Sequence, residues 1–192
     1  MKLTKKEIFS IPNIMGYFRI ILIPVFCYMY INAESDREYL MATIVVLVSS
    51  LTDLFDGMVA RKFNQITNLG KILDPVADKL THAALAICVA SKYPLMWVLI
   101  AVMILKEAYM GIMGLKYLKK GRMMNGAMWY GKICTASLFA GLLVLFFLPG
   151  LKPAISNLII TVLIAIMTAT LFMYFKMYHN MKKGETTDEV RI

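Results

Sequence analysis

Apolar residues dominate six segments of the chain, at about 13–32, 38–60, 71–91, 94–115, 128–149 and 154–177. Each is about 20 residues long, enough for a helix rising 1.5 Å per residue to cross ~30 Å of hydrocarbon. The separators are polar or turn-forming: Asn32-Ala33-Glu34-Ser35-Asp36-Arg37, Ser91-Lys92-Tyr93-Pro94, Lys116 to Gly126, and Pro149-Gly150-Leu151-Lys152-Pro153. The pattern predicts an all-α integral membrane protein of six transmembrane helices. It predicts a single domain over residues 1–192, ending in a short polar tail from about residue 180 that is expected to be solvated and mobile. No internal repeat or low-complexity segment interrupts it.

Composition agrees. Of 192 residues, 59% are hydrophobic and 17% charged, and the mean hydropathy of +0.66 is high for a soluble domain. The net charge of +9 matters mainly through its distribution. With the N-terminus inside, fourteen Lys and Arg fall in inside segments: Lys2, Lys5, Lys6, Arg61, Lys62, Lys71, Lys116, Lys119, Lys120, Arg122, Lys176, Lys182, Lys183 and Arg191. Only Arg37, Lys92 and Lys152 fall outside. By the positive-inside rule both termini are expected to be cytoplasmic, as is the loop between the second and third spans. Basic residues at helix ends argue against nucleic-acid binding and for an anionic membrane surface or a phosphate-bearing substrate. Cys27, Cys88 and Cys134 lie in apolar runs without metal-ligand spacing and read as packing residues. The basic N-terminus precedes a long apolar run without a small-residue cleavage site, so no cleavable signal is expected. Trp97, Trp129 and Tyr130 lie near span ends and read as interfacial anchors.

Against this background stand Asp53, Asp56, Asp74 and Asp78, which end the second span and begin the third. An acid at the centre of a transmembrane helix costs ~2.5–3.5 kcal/mol on insertion scales. The orientation puts all four near the cytoplasmic face. Asp53 and Asp56 are three residues apart, Asp74 and Asp78 four, so each pair shares one helical face. Two such helices facing one another form a four-carboxylate cup. Two like charges 4 Å apart repel by ~4 kcal/mol at an effective dielectric of about 20, so the cup calls for cations. All-oxygen sites favour Mg²⁺, Mn²⁺ or Ca²⁺, and paired metals serve displacement at phosphorus. Gly57, Ala60 and Gly70 leave space beside the acids, and Arg61 offers a fork-shaped cation to phosphate oxygens. Pro75 sits in the first turn of the third span or kinks it. The competing reading is a set of boundary ion pairs with Arg61, Lys71 and Lys79. Arg19 lies within the first span and is expected to face a polar cavity, since an unpaired cation facing lipid is costly.

These residues match D-x-x-D-G-x-x-A-R followed by G-x-x-x-D-x-x-x-D, the signature of the CDP-alcohol phosphotransferase family, with all eight fixed positions present over residues 53–78. The six-span pattern extends the resemblance to nearly the whole chain. It implies a homodimeric membrane enzyme that moves a substituted phosphate from a CDP-linked donor, here CDP-diacylglycerol, onto an alcohol and releases CMP. Asp53, Asp56, Asp74 and Asp78 would hold two divalent metal ions, Mg²⁺ or Mn²⁺. Asp78 would also be the general base. Gly57, Ala60 and Arg61, joined by Thr52, Asp53 and Gly70, would form the CDP site. The site is expected on the cytoplasmic side of the cell (plasma) membrane, with the donor's acyl chains left among the membrane lipids.

The rest of the chain resembles the branch that makes phosphatidylglycerol phosphate and cardiolipin, in Pro12-Asn13-Ile14, Arg19 and Pro24. It departs from the synthase pattern in span four, where Lys106-Glu107 replaces Arg-Glu, and in span five, where Gly131-Lys132-Ile133-Cys134-Thr135 lacks a second lysine. Arg19, Lys106, Lys116 and Lys132 are the acceptor-binding candidates, and Glu107 is expected to pair with Lys106 or Lys132. Glycerol-3-phosphate is the first acceptor implied. Phosphatidylglycerol, a lipid of lower charge and the substrate of a CMP-forming cardiolipin synthase, is the alternative. Non-enzymatic readings are a cation transporter and a scaffold with a vestigial site. A transporter predicts acidic or broken segments in both halves, whereas here the acids share one boundary.

Overall fold

A computed structural model of the chain describes residues 10–62, 67, 69–119, 122–124, 128–183 and 189–191. Within these, the side chains of 54, 56, 57, 59–61, 71, 122–124, 182, 183 and 189–191 lie outside the description. The elements are α1 (Ile11–Ile31), α2 (Asp36–Lys62), α3 (Gly70–Ala90), α4 (Met96–Leu118), β1 (Arg122–Met124), α5 (Trp129–Phe147), α6 (Pro153–Lys183) and β2 (Glu189–Arg191). Each expected span coincides with one helix, and α6 extends beyond its apolar run to Lys183.

Among the described residues, four helices are long and apolar enough to cross a membrane: Ile11–Ile31, Met96–Leu118, Trp129–Phe147 and Pro153–Met181. α2 and α3 match them in length at 27 and 21 residues, but carry the polar load of the acid motif. The helices display large apolar side chains outward, among them Ile21, Leu105, Ile112, Leu158 and Phe172. In water that surface would drive aggregation; in a bilayer it is the solvent-matched face. This is an α-helical membrane protein.

The fold is all-α as expected, with one short strand pair added to it. β1 and β2 pair antiparallel, Arg122 opposite Arg191 and Met124 opposite Glu189. Residues 189–191 therefore lie against 122–124, where the ladder gives their backbone groups partners.

The chain divides into two compact units, Met1–Lys92 with Phe146–Pro149, and Tyr93–Leu145 with Gly150–Ile192. In the first, α1 packs against both α2 and α3. Ser10 precedes α1 in extended conformation and Pro12 lies in its first turn, where a missing N–H costs nothing. α2 starts with a reciprocal capping box: the Glu38 carboxylate accepts from the Ser35 N–H at 3.0 Å, and Ser35 Oγ accepts from the Glu38 N–H at 3.4 Å. Tyr30 near the end of α1 stacks on Phe146 at 4.2 Å and meets Tyr39 of α2 edge-on at 5.2 Å. Aromatic rings thus pack the end of this unit where α1 gives way to α2.

The second unit is built on α4 against α6. Tyr117, Tyr130, Tyr174, Met177, Tyr178 and Met181 form its buried cluster. Tyr117 donates to the Tyr178 carbonyl at 2.9 Å, and Tyr130 donates to Met177 Sδ at 3.5 Å. A Cβ on Gly131 would overlap the Tyr174 hydroxyl, and one on Gly141 would lie 2.7 Å from Leu163 Cδ1, so both glycines let α5 approach α6. Trp97 and Trp129 stand exposed at helix starts, as anchors would, but Tyr130 is buried. Its ring packs edge-on to Tyr174 at 4.8 Å, which removes it from the interface. The cysteines are free, with Cys88 and Cys134 buried.

Candidate active site

The start of α3 is set by its contact with α1. Gly70 N–H donates to Thr67 Oγ1 at 2.9 Å, and Thr67 is in turn hydrogen-bonded to the Asn13 side chain. Asn13 is buried. A Cβ on Gly70 would lie 2.9 Å from Asn13 Oδ1, and one on Gly16 2.7 Å from Leu73 Cδ2. Asn13 and Gly16 therefore lay the first turns of α1 alongside the first turns of α3, and the two helices run parallel. Gly70, expected to open space for a ligand or a helix, is filled by a helix.

Two turns along from Asn13, the same arrangement carries Arg19 to the acids. The Arg19 guanidinium forms an ion pair with Asp53 of α2 and donates to Asp78 of α3 at 2.6 Å. Its side chain is 3% exposed, whereas those of Asp53 and Asp78 are 43% and 49% exposed. Arg19 reaches both because α1 is the helix that packs against both acid-bearing neighbours. The facing pair of helices expected from spacing is thus a trio, with the cation supplied by the third member. Arg19 does avoid lipid, as a cation in a span must.

Asp74 lies on the same face of α3, exposed, and within electrostatic range of Arg19 and Asp53. His82, one turn beyond Asp78, lies within range of Asp53. His82 and Asn13 were not singled out as site residues by sequence pattern. The four-residue spacing Asp74-Asp78-His82 was the available signal for the imidazole; Asn13 signalled a helix start and a part in the Pro12-Asn13-Ile14 resemblance, but no contact with α3. The Thr52 hydroxyl donates to its own helix, to the Val48 carbonyl at 2.8 Å. The side chains of Asp56, Gly57, Ala60, Arg61 and Lys71 lie outside the described residues, though 56–61 belong to the continuous helix α2. Pro75 falls inside α3, in its second turn.

Among the described residues no trio of His, Cys, Asp and Glu is drawn together as a metal cluster. The donor chemistry nevertheless fits hard divalent ions: the groups are carboxylate oxygens, they are open to solvent, and two of them already converge on one cation.

The remaining candidates belong to the second unit. Lys106 is buried and paired with Glu107 at 2.9 Å, one of the two partnerships expected. Lys116 lines a cavity of about 220 Å³ with Tyr109, Tyr117, Phe175, Tyr178 and His179. Lys132 is exposed on α5.

The sequence model of the CDP-alcohol phosphatidyltransferase family matches residues 9–179, from the start of α1 almost to the end of α6. The chain belongs to this family. It is similar to the CDP-diacylglycerol--glycerol-3-phosphate 3-phosphatidyltransferase of Escherichia coli, with 31% identity over 163 residues covering 83% of this chain and 89% of that protein. The protein of the same description from Shigella flexneri is 33% identical over 146 residues, 74% of this chain and 80% of that one. Membership places the acid motif of α2 and α3 in the body of the matched region.

Proposed function

We propose that the protein is a phosphatidylglycerophosphate synthase-like enzyme of phospholipid biosynthesis, transferring a phosphatidyl group from CDP-diacylglycerol to glycerol-3-phosphate with release of CMP. The observation that carries this reading is the complete acid signature in a chain similar over most of its length to enzymes so described. Asp53, Asp56, Asp74 and Asp78 would hold two divalent ions, Mg²⁺ or Mn²⁺. Bound there, such ions neutralise pyrophosphate charge and stabilise CMP as it leaves. Asp78 accepts the proton of the acceptor hydroxyl. The hydroxyl oxygen forms its bond to the phosphorus that carries the diacylglycerol, and the bond from that phosphorus to the CMP oxygen breaks. Thr52, Gly57, Ala60 and Arg61 make up the nucleotide side of the site; Gly70 is set aside from it because Asn13 fills its space. Arg19, Lys106, Lys116 and Lys132 stay acceptor candidates on the family resemblance alone.

All six helices span the membrane in this reading, with both termini and the acid cup at the cytoplasmic side of the cell membrane, and the enzyme works as a homodimer. The length of the helices and the distribution of Lys and Arg support it.

A second acceptor, phosphatidylglycerol, is favoured by one observation. Lys106 is buried against Glu107, and Cys134 stands where a second span-five lysine is the pattern, so positive charge for a doubly charged acceptor is reduced. The purified protein with CDP-diacylglycerol, Mg²⁺ or Mn²⁺ and separate acceptors decides between them. CMP release is expected with glycerol-3-phosphate and none after chelation of the metal. Release with phosphatidylglycerol alone would move the assignment to a cardiolipin synthase, and release with serine alone would overturn both.

A further inference from the structure

We propose that Arg19 is the resident counter-cation of the acid cup: it holds Asp53 and Asp78 in the absence of divalent metal and yields those oxygens when metal binds. The inference rests on the reading of these aspartates as metal ligands, and it assigns Arg19 a role separate from acceptor binding.

The geometry carries the argument. Arg19 is nearly inaccessible, while the two carboxylates it engages are about half exposed. The cation is therefore built into the protein floor of the cup, and the acids open outward from it. One guanidinium nitrogen serves Oδ1 of both Asp53 and Asp78, from two different helices. Those oxygens are the donors a divalent ion would need. A guanidinium cannot discharge itself by losing a proton, so buried Arg19 draws on these carboxylates for as long as no other cation shares them. The acids have the converse need, since without a cation their mutual repulsion pushes α2 and α3 apart. Arg19 and a metal ion thus meet the same requirement at the same oxygens and must compete for it. An arginine whose function begins only with acceptor would leave metal affinity unchanged when no acceptor is present.

The test is Mn²⁺ binding to the full-length protein in detergent with no substrate, read by electron paramagnetic resonance or calorimetry, together with thermal unfolding with and without Mn²⁺. Arg19→Gln is expected to bind Mn²⁺ about tenfold more tightly than the parent, because a repelling charge a few ångströms away is gone. Its metal-free form should unfold at a lower temperature, and saturating Mn²⁺ should raise that temperature by more than it does for the parent. Arg19→Lys keeps the charge and should retain near-parental affinity. Unchanged or weaker binding by Arg19→Gln, with a parent that binds normally, would overturn the proposal. Absence of Mn²⁺ binding by the parent would instead remove the metal-site reading and the proposal with it. Should Arg19→Gln fail to fold, Asp53→Asn in the same chain removes one acid along with the cation. Recovery of a folded protein supports charge balance as the role of Arg19, and failure to recover overturns it.

Discussion

Asp78 carries two demands in one side chain: it engages Arg19 at 2.6 Å and is the proposed base. Asparagine keeps its shape and can still accept from the guanidinium, but cannot take a proton. Asp78→Asn is therefore expected to reduce CMP release by at least about 10²–10⁴-fold, the usual worth of a general base, while elution volume and helical circular dichroism stay as in the parent. Parental turnover in that variant would remove Asp78 from the chemistry. The acids and their spacing were legible in the sequence because charge inside an apolar run is conspicuous and helical period is fixed. The cation that joins Asp53 to Asp78 was not. Arg61, Lys71 and Lys79 are nearest in sequence, yet the cation seated between Asp53 and Asp78 comes from 34 and 59 residues away. Glu107 is the opposite case, since its partner Lys106 is its sequence neighbour and was among the two expected.

The elements were read well because each is a local property. Six apolar runs became six helices, and turn-forming residues marked the breaks between them. What escaped was the fit between elements. Gly70 reads equally as room for a ligand or for a neighbour, and Asn13 turns out to fill the space. Gly70→Ala is expected to cost about 1–3 kcal/mol by overpacking, seen as a lower thermal unfolding temperature in detergent. Adding Asn13→Ala should make the two losses less than additive, because the clash is removed along with the hydrogen bonds. Full additivity would show that Gly70 is not held small by Asn13. The strand pair left no signal for a related reason. A polar segment without apolar periodicity carries no strand signal, and the pairing of β2 with β1 depends on a partner more than 60 residues away.

For the molecule as a whole, orientation is the property that decides where the chemistry occurs. Lys62, Lys92, Lys119 and Lys152 are all exposed and suit replacement by cysteine. In intact cells a membrane-impermeant maleimide should label Lys92→Cys and Lys152→Cys, whereas Lys62→Cys and Lys119→Cys should react only after lysis. The reverse pattern would put the acid cup on the outer face and defeat a cytoplasmic CDP-linked donor.

The sequence by itself determined that the chain is a helical membrane protein, where its helices lie, and that four acids with a Gly-Ala-Arg insert carry the family signature. Hydropathy, insertion cost and helical period are sums over neighbouring residues and need no knowledge of the fold. Only the tertiary structure decided that α1 lies against both acid-bearing helices, that its arginine joins Asp53 to Asp78, that Gly70 is closed by Asn13, and that Tyr130 turns inward. These depend on which helix packs against which, and that is settled by the fit of side chains far apart in the chain.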